Sequence, residues 1–410
     1  MGLLVQKFGG SSLSTPHRVM RAARRPVAEF DAGSQVVVVV SAMGDRTDEL
    51  IALAKRIHPD PEPREMDTLL AVGEQMSIAL MAIAIHRLGR AAISLTGAQA
   101  GIRTDSVSSK AKIKTIDTSR LRRELAKGQI VIVAGFQGVD SEDNITTLGR
   151  GGSDTTAVAL AAALGADRCD IYTDVDGVYT ADPRIVPDAR WIPKIDYEEL
   201  LELASLGAKV MHSRAVELAK RFDVPFRVRS SFSESEGTLV TNLSGDMEYV
   251  DVRAAALDTN EAKITIRHVP DRPGVAATIF SEIGRAGINV DMIVQNASEQ
   301  GRADVSFTVA KTDLPRAIGV TEKLAETLGD IQVESDPDVA KVSVEGLGMR
   351  SHPGVAERMF RALADEQVNI MMISTSEIKI SCVVEATKGE QALRAVHRAF
   401  GLDREGAHTA

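Results

Sequence analysis

The chain has 410 residues, 44% hydrophobic and 26% charged, with a formal net charge of -9. Those are the proportions of ordinary globular domains, enough for about two to four of them. The negative charge argues against nucleic acid or an anionic membrane surface as a partner. Cys169 and Cys382 are the only cysteines; two thiols so far apart in sequence fit buried groups in a reducing compartment. The first residues run into an apolar stretch without a charged leader, and apolar runs such as Ile78 to Ile85 are shorter than a bilayer span. The eight histidines show no ligand spacing, so no structural metal site is expected. The expectation is a cytoplasmic protein without membrane or nucleic-acid contacts.

In chain order, Leu3-Leu4-Val5 is a short strand that leads into Lys7-Phe8-Gly9-Gly10-Ser11-Ser12. A helix follows, with Ser14 or Thr15 as N-cap and Pro16 at its first position. A lysine at a strand end, two glycines and two hydroxyls before a helix make a phosphate cradle with its own cation. The sequence contains no P-loop and no protein-kinase His-Arg-Asp or Asp-Phe-Gly signature. Pro16 to Phe30 has helical spacing, which Pro26 should end or kink. Val36 to Val40, five consecutive valines, reads as a strand buried on both faces of a parallel sheet. It ends at Ser41 and Gly44, with Thr47 expected to cap the next helix. Pro59, Pro61 and Pro63 mark an exposed connection.

A helix is predicted from Met66 to Leu88. Glu74 sits there among Leu69, Leu70, Val72, Met76 and Ile78, and periodicity fits an exposed helix face as well as a buried carboxylate. Ala91 to Leu95 is a strand, Leu121 to Lys127 a short helix, and Ile130 to Phe136 a strand. Next comes Leu148-Gly149-Arg150-Gly151-Gly152-Ser153-Asp154-Thr155-Thr156, opening a helix-like run from Ala157 to Leu164. Its glycines let main-chain N–H groups approach an anion, and the helix N-terminus adds more of them. Arg150 offers a planar fork to a carboxylate or phosphate, Asp154 a negative charge to an ammonium, and Thr155 and Thr156 can hold the first turn. A lone loop of this kind is more often an ordinary helix cap; the lysine–glycine stretch at the other end of the domain shifts the balance to an active site. Cys169 to Thr173 is a further strand, followed by the turn signal Asp176-Gly177 and by Asp182-Pro183. Gly207-Ala208-Lys209-Val210 opens a helix, and Pro225 to Val228 is the last strand of this region.

Three stretches together, Lys-Phe-Gly-Gly-Ser-Ser, Gly-Arg-Gly-Gly-Ser-Asp-Thr-Thr and Tyr172-Thr173-Asp174-Val175-Asp176-Gly177-Val178-Tyr179-Thr180-Ala181-Asp182-Pro183-Arg184, resemble the aspartate kinases of the amino-acid-kinase superfamily. Ser11 stands where threonine is common in that family, and His212-Ser213-Arg214 replaces a more usual His-Pro. The resemblance implies an α/β catalytic domain, three-layer with a mainly parallel sheet, over residues 1–230. It also implies a linker at 231–260 and two α+β (βαββαβ-like) ACT domains at 261–335 and 336–410. It further implies transfer of phosphoryl from ATP, with Mg2+ held mainly by the nucleotide, to the side chain of L-aspartate. Lys7, Arg150 and Asp154 would be catalytic. Lys7, Phe8, Gly9, Gly10, Thr173, Asp174, Tyr179, Asp182, Arg184, Lys209 and Val210 would surround the nucleotide. Ser41, Thr47, Glu74, Phe136, Arg150, Gly151, Gly152 and Ser153 would hold aspartate. Kinases of glutamate or acetylglutamate, and a catalytically dead amino-acid sensor, are the competing readings. A fused homoserine dehydrogenase is disfavoured, because too few residues follow the second repeat.

An internal repeat stands without any family likeness. Pro273-Gly274-Val275-Ala276 recurs as Pro353-Gly354-Val355-Ala356, 80 residues on, and an asparagine follows each proline by 16 residues, Asn289 and Asn369. Alternating strands, Lys263 to Arg267 and Lys341 to Glu345, open the two copies. Such units serve as dimerisation platforms or as small-molecule sensors. The family resemblance implies lysine or threonine as effector, with contacts expected at Asp271, Gly274, Ala276, Asn289, Val290, Asp291 and Gln295 in one copy. In the other they are Val355, Ala356, Asn369, Ile370, Ser376 and Glu377. The resemblance further implies a homo-oligomer, or an α2β2 assembly whose smaller subunit starts internally near Met247.

Overall fold

A computed structural model describes residues 2–205, 211–243, 251–296, 301–329, 331–347 and 354–404. The chain forms two compact units, one from Met1–Val178, Trp191–Ala204 and Lys209–Ser244, the other from Tyr179–Arg190, Ser205–Ala208 and Gly245–Ala410.

The first unit begins with β1 (Leu3–Phe8), α1 (Pro16–Asp31), β2 (Gln35–Val40), α2 (Arg46–Ile57), α3 (Pro63–Arg87) and β3 (Ala92–Leu95). It continues with β4 (Ile102–Thr104), β5 (Ile113–Ile116), α4 (Ser119–Ala126), β6 (Ile130–Ala134), β7 (Gln137–Val139), β8 (Ile145–Thr147), α5 (Gly152–Leu164) and β9 (Arg168–Thr173). After β10 (Val178–Tyr179) and the stretch assigned to the second unit come β11 (Trp191–Ile192), β12 (Lys194–Ile195), α6 (Tyr197–Ser205), α7 (Ser213–Phe222), β13 (Phe226–Ser230) and β14 (Thr238–Val240). Eight strands make one sheet in the order β12-β14-β13-β9-β1-β2-β6-β3. Its central ladders, from β13 through β9, β1, β2 and β6 to β3, are all parallel. The valines of β2 explain why: all five are fully buried, which requires cover on both faces. Phe8, Val36, Val38 and Val40 pack with α1 and α3 residues such as Ala23, Met81 and Ile85. Residues one step away along the strand point to the opposite face, where α5 lies against β1, β2 and β9.

Several local expectations give way to tertiary packing. Thr15 caps α1 through its side chain, but the helix runs on past Pro26 to Asp31. Pro26 is buried on the packed face, and that packing holds the helix across the one hydrogen bond a proline lacks. Thr47 lies inside α2, whose N-cap is Asp45; the turn that donates Gly44 N–H to Gly10 O and Arg46 N–H to Met43 O starts the helix earlier. With 25 residues, α3 is long and apolar enough to cross a bilayer by length and composition, longer than the apolar runs suggest. It includes buried Asp67 and Glu74 and packs on α1, β3 and β6. A second sheet, order β5-β4-β7-β8, has strands of three or four residues, too short for a periodic signal. The segment 231–260, expected as a linker, contains β14, which pairs with β12 and β13.

The second unit contains β15 (Asp251–Asp258), β16 (Glu261–Pro270), α8 (Val275–Arg285), β17 (Val290–Gln295), β18 (Arg302–Ala310), α9 (Leu314–Leu328) and β19 (Gln332–Asp336). Then follow β20 (Val339–Leu347), α10 (Val355–Asp365), β21 (Met372–Thr375), β22 (Lys379–Glu385) and α11 (Gly389–Ala399). Each repeat builds a four-stranded sheet, β17-β18-β16-β19 and β15-β20-β22-β21. The first is βαββαβ, with β19 closing beside β16. In the second, the matching place beside β20 is filled by β15, so the first repeat is inserted within the second. Gly274 and Gly354, at φ 95° and 106°, both form left-handed N-caps, a conformation open to glycine at little cost. Ala181 and Val186 join the second unit's core with Val342, Val344 and Phe400. Beside them the Thr180 hydroxyl meets His397 Nε2 at 3.0 Å.

Candidate active site

In an open parallel sheet, ligands sit outside the carboxyl ends of the strands. Lys7 and Gly9 lie at that end of β1, Ser41 at β2, Phe136 just past β6 and Thr173 at β9. Gly9 N–H donates to Tyr172 O at 3.2 Å. A Cβ on Gly10 would lie 2.8 Å from Ala42 O, so glycine alone lets the first loop press against the end of β2. The Phe8 side chain turns into the core, stacked on Tyr172 at 4.7 Å, so only its main chain can serve a nucleotide. Lys7, on the other face, reaches Asp154 at the start of α5: Nζ to Oδ1 is 2.6 Å.

Gly149 and Gly151 are left-handed at φ 77° and 68°, and a Cβ on Gly151 would sit 2.1 Å from His212 Cβ. The loop delivers Gly152 and Ser153 to the first turn of α5, whose leading N–H groups carry no side-chain cap. Thr155 and Thr156 do hold that turn, their hydroxyls donating to Gly151 O at 3.1 Å and Gly152 O at 2.8 Å. Thr156 Oγ1 also accepts from Phe136 N–H at 3.1 Å, fixing that residue at a positive φ of 67°. Arg150 is exposed on the loop. Glu74 is 3% exposed, which rules out the exposed helix face. Its Oε1 accepts from Ala42 N–H at 3.0 Å, while Oε2 is buried without a hydrogen-bond partner among the described residues. Burial pushes the carboxyl up to about 7, against the pull of the Ala42 N–H. A buried carboxyl with an open acceptor is suited to receive a cationic group.

The nucleotide candidates are less gathered. Thr173 Oγ1 donates to the exposed Asp174 at 3.1 Å. Tyr179, Asp182 and Arg184 belong to the second unit, where Arg184 Nη2 donates to Asp182 Oδ2 at 2.6 Å and lowers that carboxyl's pKa. Lys209 and Val210 lie outside the described residues.

Sequence reasoning missed two braces of the central loop. Asp67, fully buried on α3, accepts from Thr147 Oγ1 at 2.5 Å and from Ser109 N–H at 3.0 Å. Arg214 donates to Leu148 O and Ala111 O, both at 2.7 Å. A signal for Asp67 existed: it lies seven residues, or two turns, before Glu74 on an apolar helix.

In the second unit, Asp271, Gly274, Ala276 and Gln295 line one cavity of about 320 Å³, together with Val269, Arg272 and Val305. Asn289, Val290 and Asp291 do not line it. Asp291 instead pairs with Lys341, which is 2% exposed and also meets Glu261 at 3.0 Å. Burial works against that ammonium, yet the Glu261 and Asp291 carboxylates outweigh it and raise the Lys341 pKa. In the second repeat, Val355 and Ala356 start α10, Asn369 and Ile370 precede β21, and Ser376 and Glu377 form the turn into β22.

A parallel sheet with glycine loops at its carboxyl edge, followed by paired βαββ units, is the architecture of an α/β small-molecule enzyme joined to two small α+β domains. The amino acid kinase family profile matches residues 2–230, and ACT-domain profiles match 264–328 and 342–400. An aspartate kinase of Stutzerimonas stutzeri is 52% identical over 100% of both chains, and an aspartokinase of Mycolicibacterium smegmatis is 52% identical over 98% of this chain and 97% of its own. Among solved structures, E. coli aspartokinase III in complex with aspartate and ADP superposes with a TM-score of 0.81 at 28% identity, covering 97% of this chain and 100% of that one. The same enzyme with lysine and aspartate gives 0.75 at 29%, over 97% and 99%. The chain belongs to the amino acid kinase family, and within it to the aspartate kinases with two ACT domains.

Proposed function

We propose that the enzyme transfers the γ-phosphoryl group of ATP to the side-chain carboxylate of L-aspartate. The product would be 4-phospho-L-aspartate, at the start of lysine, threonine and methionine biosynthesis in the cytoplasm. The observation that carries this reading is the pairing of Lys7 with Asp154 between the two glycine loops. A side-chain carboxylate, with a reference pKa of about 3.9, is already ionised at neutral pH and needs no general base. What must be supplied is in-line positioning and stabilisation of charge on the transferring group. Lys7 and the N–H groups of the Gly9–Gly10 loop offer the second. Arg150 would take the α-carboxylate, and Glu74 and Asp154 the ammonium, with Ser41, Thr47, Phe136, Gly151, Gly152 and Ser153 shaping the pocket.

Among the described residues no group of three or more His, Cys, Asp or Glu side chains gathers as a metal cage. Mg2+ would arrive on the nucleotide phosphates, where it would add positive charge. Thr173, Asp174, Lys209 and Val210 would meet the nucleotide in the first unit; the resemblance also assigns Tyr179, Asp182 and Arg184 to it, and these belong to the second. The cavity at Asp271, Gly274, Ala276 and Gln295 would take an amino-acid effector, threonine or lysine. The other residues expected from sequence, Asn289 to Asp291, Val355, Ala356, Asn369, Ile370, Ser376 and Glu377, would act at the repeat surfaces. An assembly with a subunit starting near Met247 stays a proposal, since that residue lies outside the described ones.

The experiment is ATP consumption by the full chain with aspartate, glutamate and acetylglutamate, each with and without threonine and lysine. Aspartate-dependent turnover, lowered by one or both amino acids, is the expected result. Turnover with another acceptor alone would replace aspartate as substrate, and none with any acceptor would leave a sensor.

A further inference from the structure

We propose that Asp67 is a positioning residue for the aspartate half of the active site. It would set where Arg150 stands by tying two neighbouring loops to α3. The inference rests on the reading of Arg150 as the ligand of the substrate's α-carboxylate. Asp67 is fully buried, where carboxyl oxygens are costly unless they are hydrogen-bonded. They are: Thr147 Oγ1 donates to Oδ1 at 2.5 Å, and Ser109 N–H reaches both oxygens at 3.0 Å. Thr147 is the last residue of β8, three positions before Arg150. Ser109 holds a left-handed φ of 65°, and its carbonyl would stand 2.9 Å from a Cβ on Gly149.

The two segments are also bonded to each other, Ala111 N–H to Thr147 O at 2.9 Å. From the other side Arg214 donates to Leu148 O and Ala111 O. The arginine loop is therefore clasped between a carboxylate on α3 and a guanidinium on α7. On α3 the same helix carries Glu74, two turns further on and bonded to Ala42 N–H. One rigid helix thus fixes both the arginine loop and the buried carboxylate. The spacing between the subsites for the substrate's carboxylate and ammonium is held by α3 rather than by the glycine loop itself.

The test uses Thr147→Val and Thr147→Ser in the full-length enzyme, measured beside Arg150→Lys. A buried acceptor left without its donor costs roughly a factor of ten. Thr147→Val should raise the KM for aspartate about tenfold while the KM for ATP moves less than about twofold. Thr147→Ser, which keeps the hydroxyl, should restore the aspartate KM. Asp67→Asn should show the same split, because it leaves one acceptor oxygen where Ser109 N–H and Thr147 Oγ1 now share two. A merely structural role would lower the melting temperature and raise both KM values alike, and that result overturns the proposal. So does an unchanged aspartate KM in Thr147→Val when Arg150→Lys raises it. If Arg150→Lys leaves the aspartate KM unchanged, the reading of Arg150 falls and this inference falls with it.

Discussion

Lys7 Nζ and Asp154 Oδ1 stand 2.6 Å apart, with the two side chains only 10% and 14% exposed. The cation expected to meet phosphate and the anion expected to meet ammonium thus face each other within ion-pair distance. A partly buried pair of this kind is stronger than a surface one, but losing one member leaves a costly uncompensated charge. Substrate binding can avoid that cost, because a polyanionic nucleotide and an amino acid bring replacement partners for both.

Lys7→Ala should therefore lower kcat by roughly 10²–10³, the usual loss for one preorganised stabiliser of transition-state charge, and should change the KM for ATP far less. Steady-state kinetics on the purified variant checks this. A near-normal kcat would remove Lys7 from the mechanism.

Arg150→Lys keeps the charge but not the fork that holds a carboxylate through two parallel bonds. The KM for aspartate should rise most. If the ATP KM rises instead, Arg150 belongs to the nucleotide.

Glu74 supplies a pH dependence with a definite sign. Burial raises its carboxyl from 4.5 to about 7, so below pH 7 it is protonated and a poor ligand for an ammonium. The KM for aspartate should rise as pH falls through 7 in the wild type, and be high and flat in Glu74→Gln. The stability effect runs the other way. The native state holds a proton that the unfolded chain has released, so wild-type stability falls as pH rises from about 4.5 to 7, by up to about 3 kcal/mol. Glu74→Gln lacks that loss, so its melting temperature should gain on the wild type at pH 8 relative to pH 5. Parallel thermal melts at the two pH values decide it.

In the regulatory unit, Asp291 and Gln295 should behave differently although both lie on β17. Gln295 lines the cavity, so Gln295→Ala should raise the effector concentration for half-inhibition at least about fivefold, the low end of typical allosteric coupling, with little change in melting temperature. Asp291 pairs with the buried Lys341. Asp291→Ala should weaken inhibition only along with a loss on the order of 1–3 kcal/mol in stability, the cost of a buried donor losing a partner. Inhibition curves and denaturant melts on both variants separate the two roles.

Much of this was legible in the sequence. Five valines announced a strand covered on both faces, and a lysine at a strand end and an aspartate at a helix start were legible as a cation and an anion beside glycine loops. The repeat gave two glycine-capped helices at Gly274 and Gly354. What sequence does not carry is who meets whom. Nothing in the order of residues joins Lys7 to Asp154, Asp67 to Thr147 or Asp291 to Lys341, since those pairings exist only once strands and helices are stacked. Local rules also failed where packing outweighed them, at Pro26 inside α1 and at Thr47, and where strands such as β4, β5, β7 and β8 are too short to show a period. Nor could pattern alone reveal that Tyr179–Arg190, within the stretch that matches the kinase family, contributes Ala181 and Val186 to the core of the second unit.

The strand β15 has a consequence for how the molecule is made. It is synthesised before the first repeat, yet its partner β20 and the rest of that sheet emerge only after the first repeat is complete. On the ribosome, where earlier segments fold first, β15 must wait as an unpaired apolar strand while β16 to β19 assemble. The inserted repeat then brings the two ends of its own chain close together. That shortens the effective loop between β15 and β20 and lowers the entropy cost of joining them. A formed first repeat therefore favours closure of the second sheet, and damage to it should surface as a lower stability of a sheet it does not belong to.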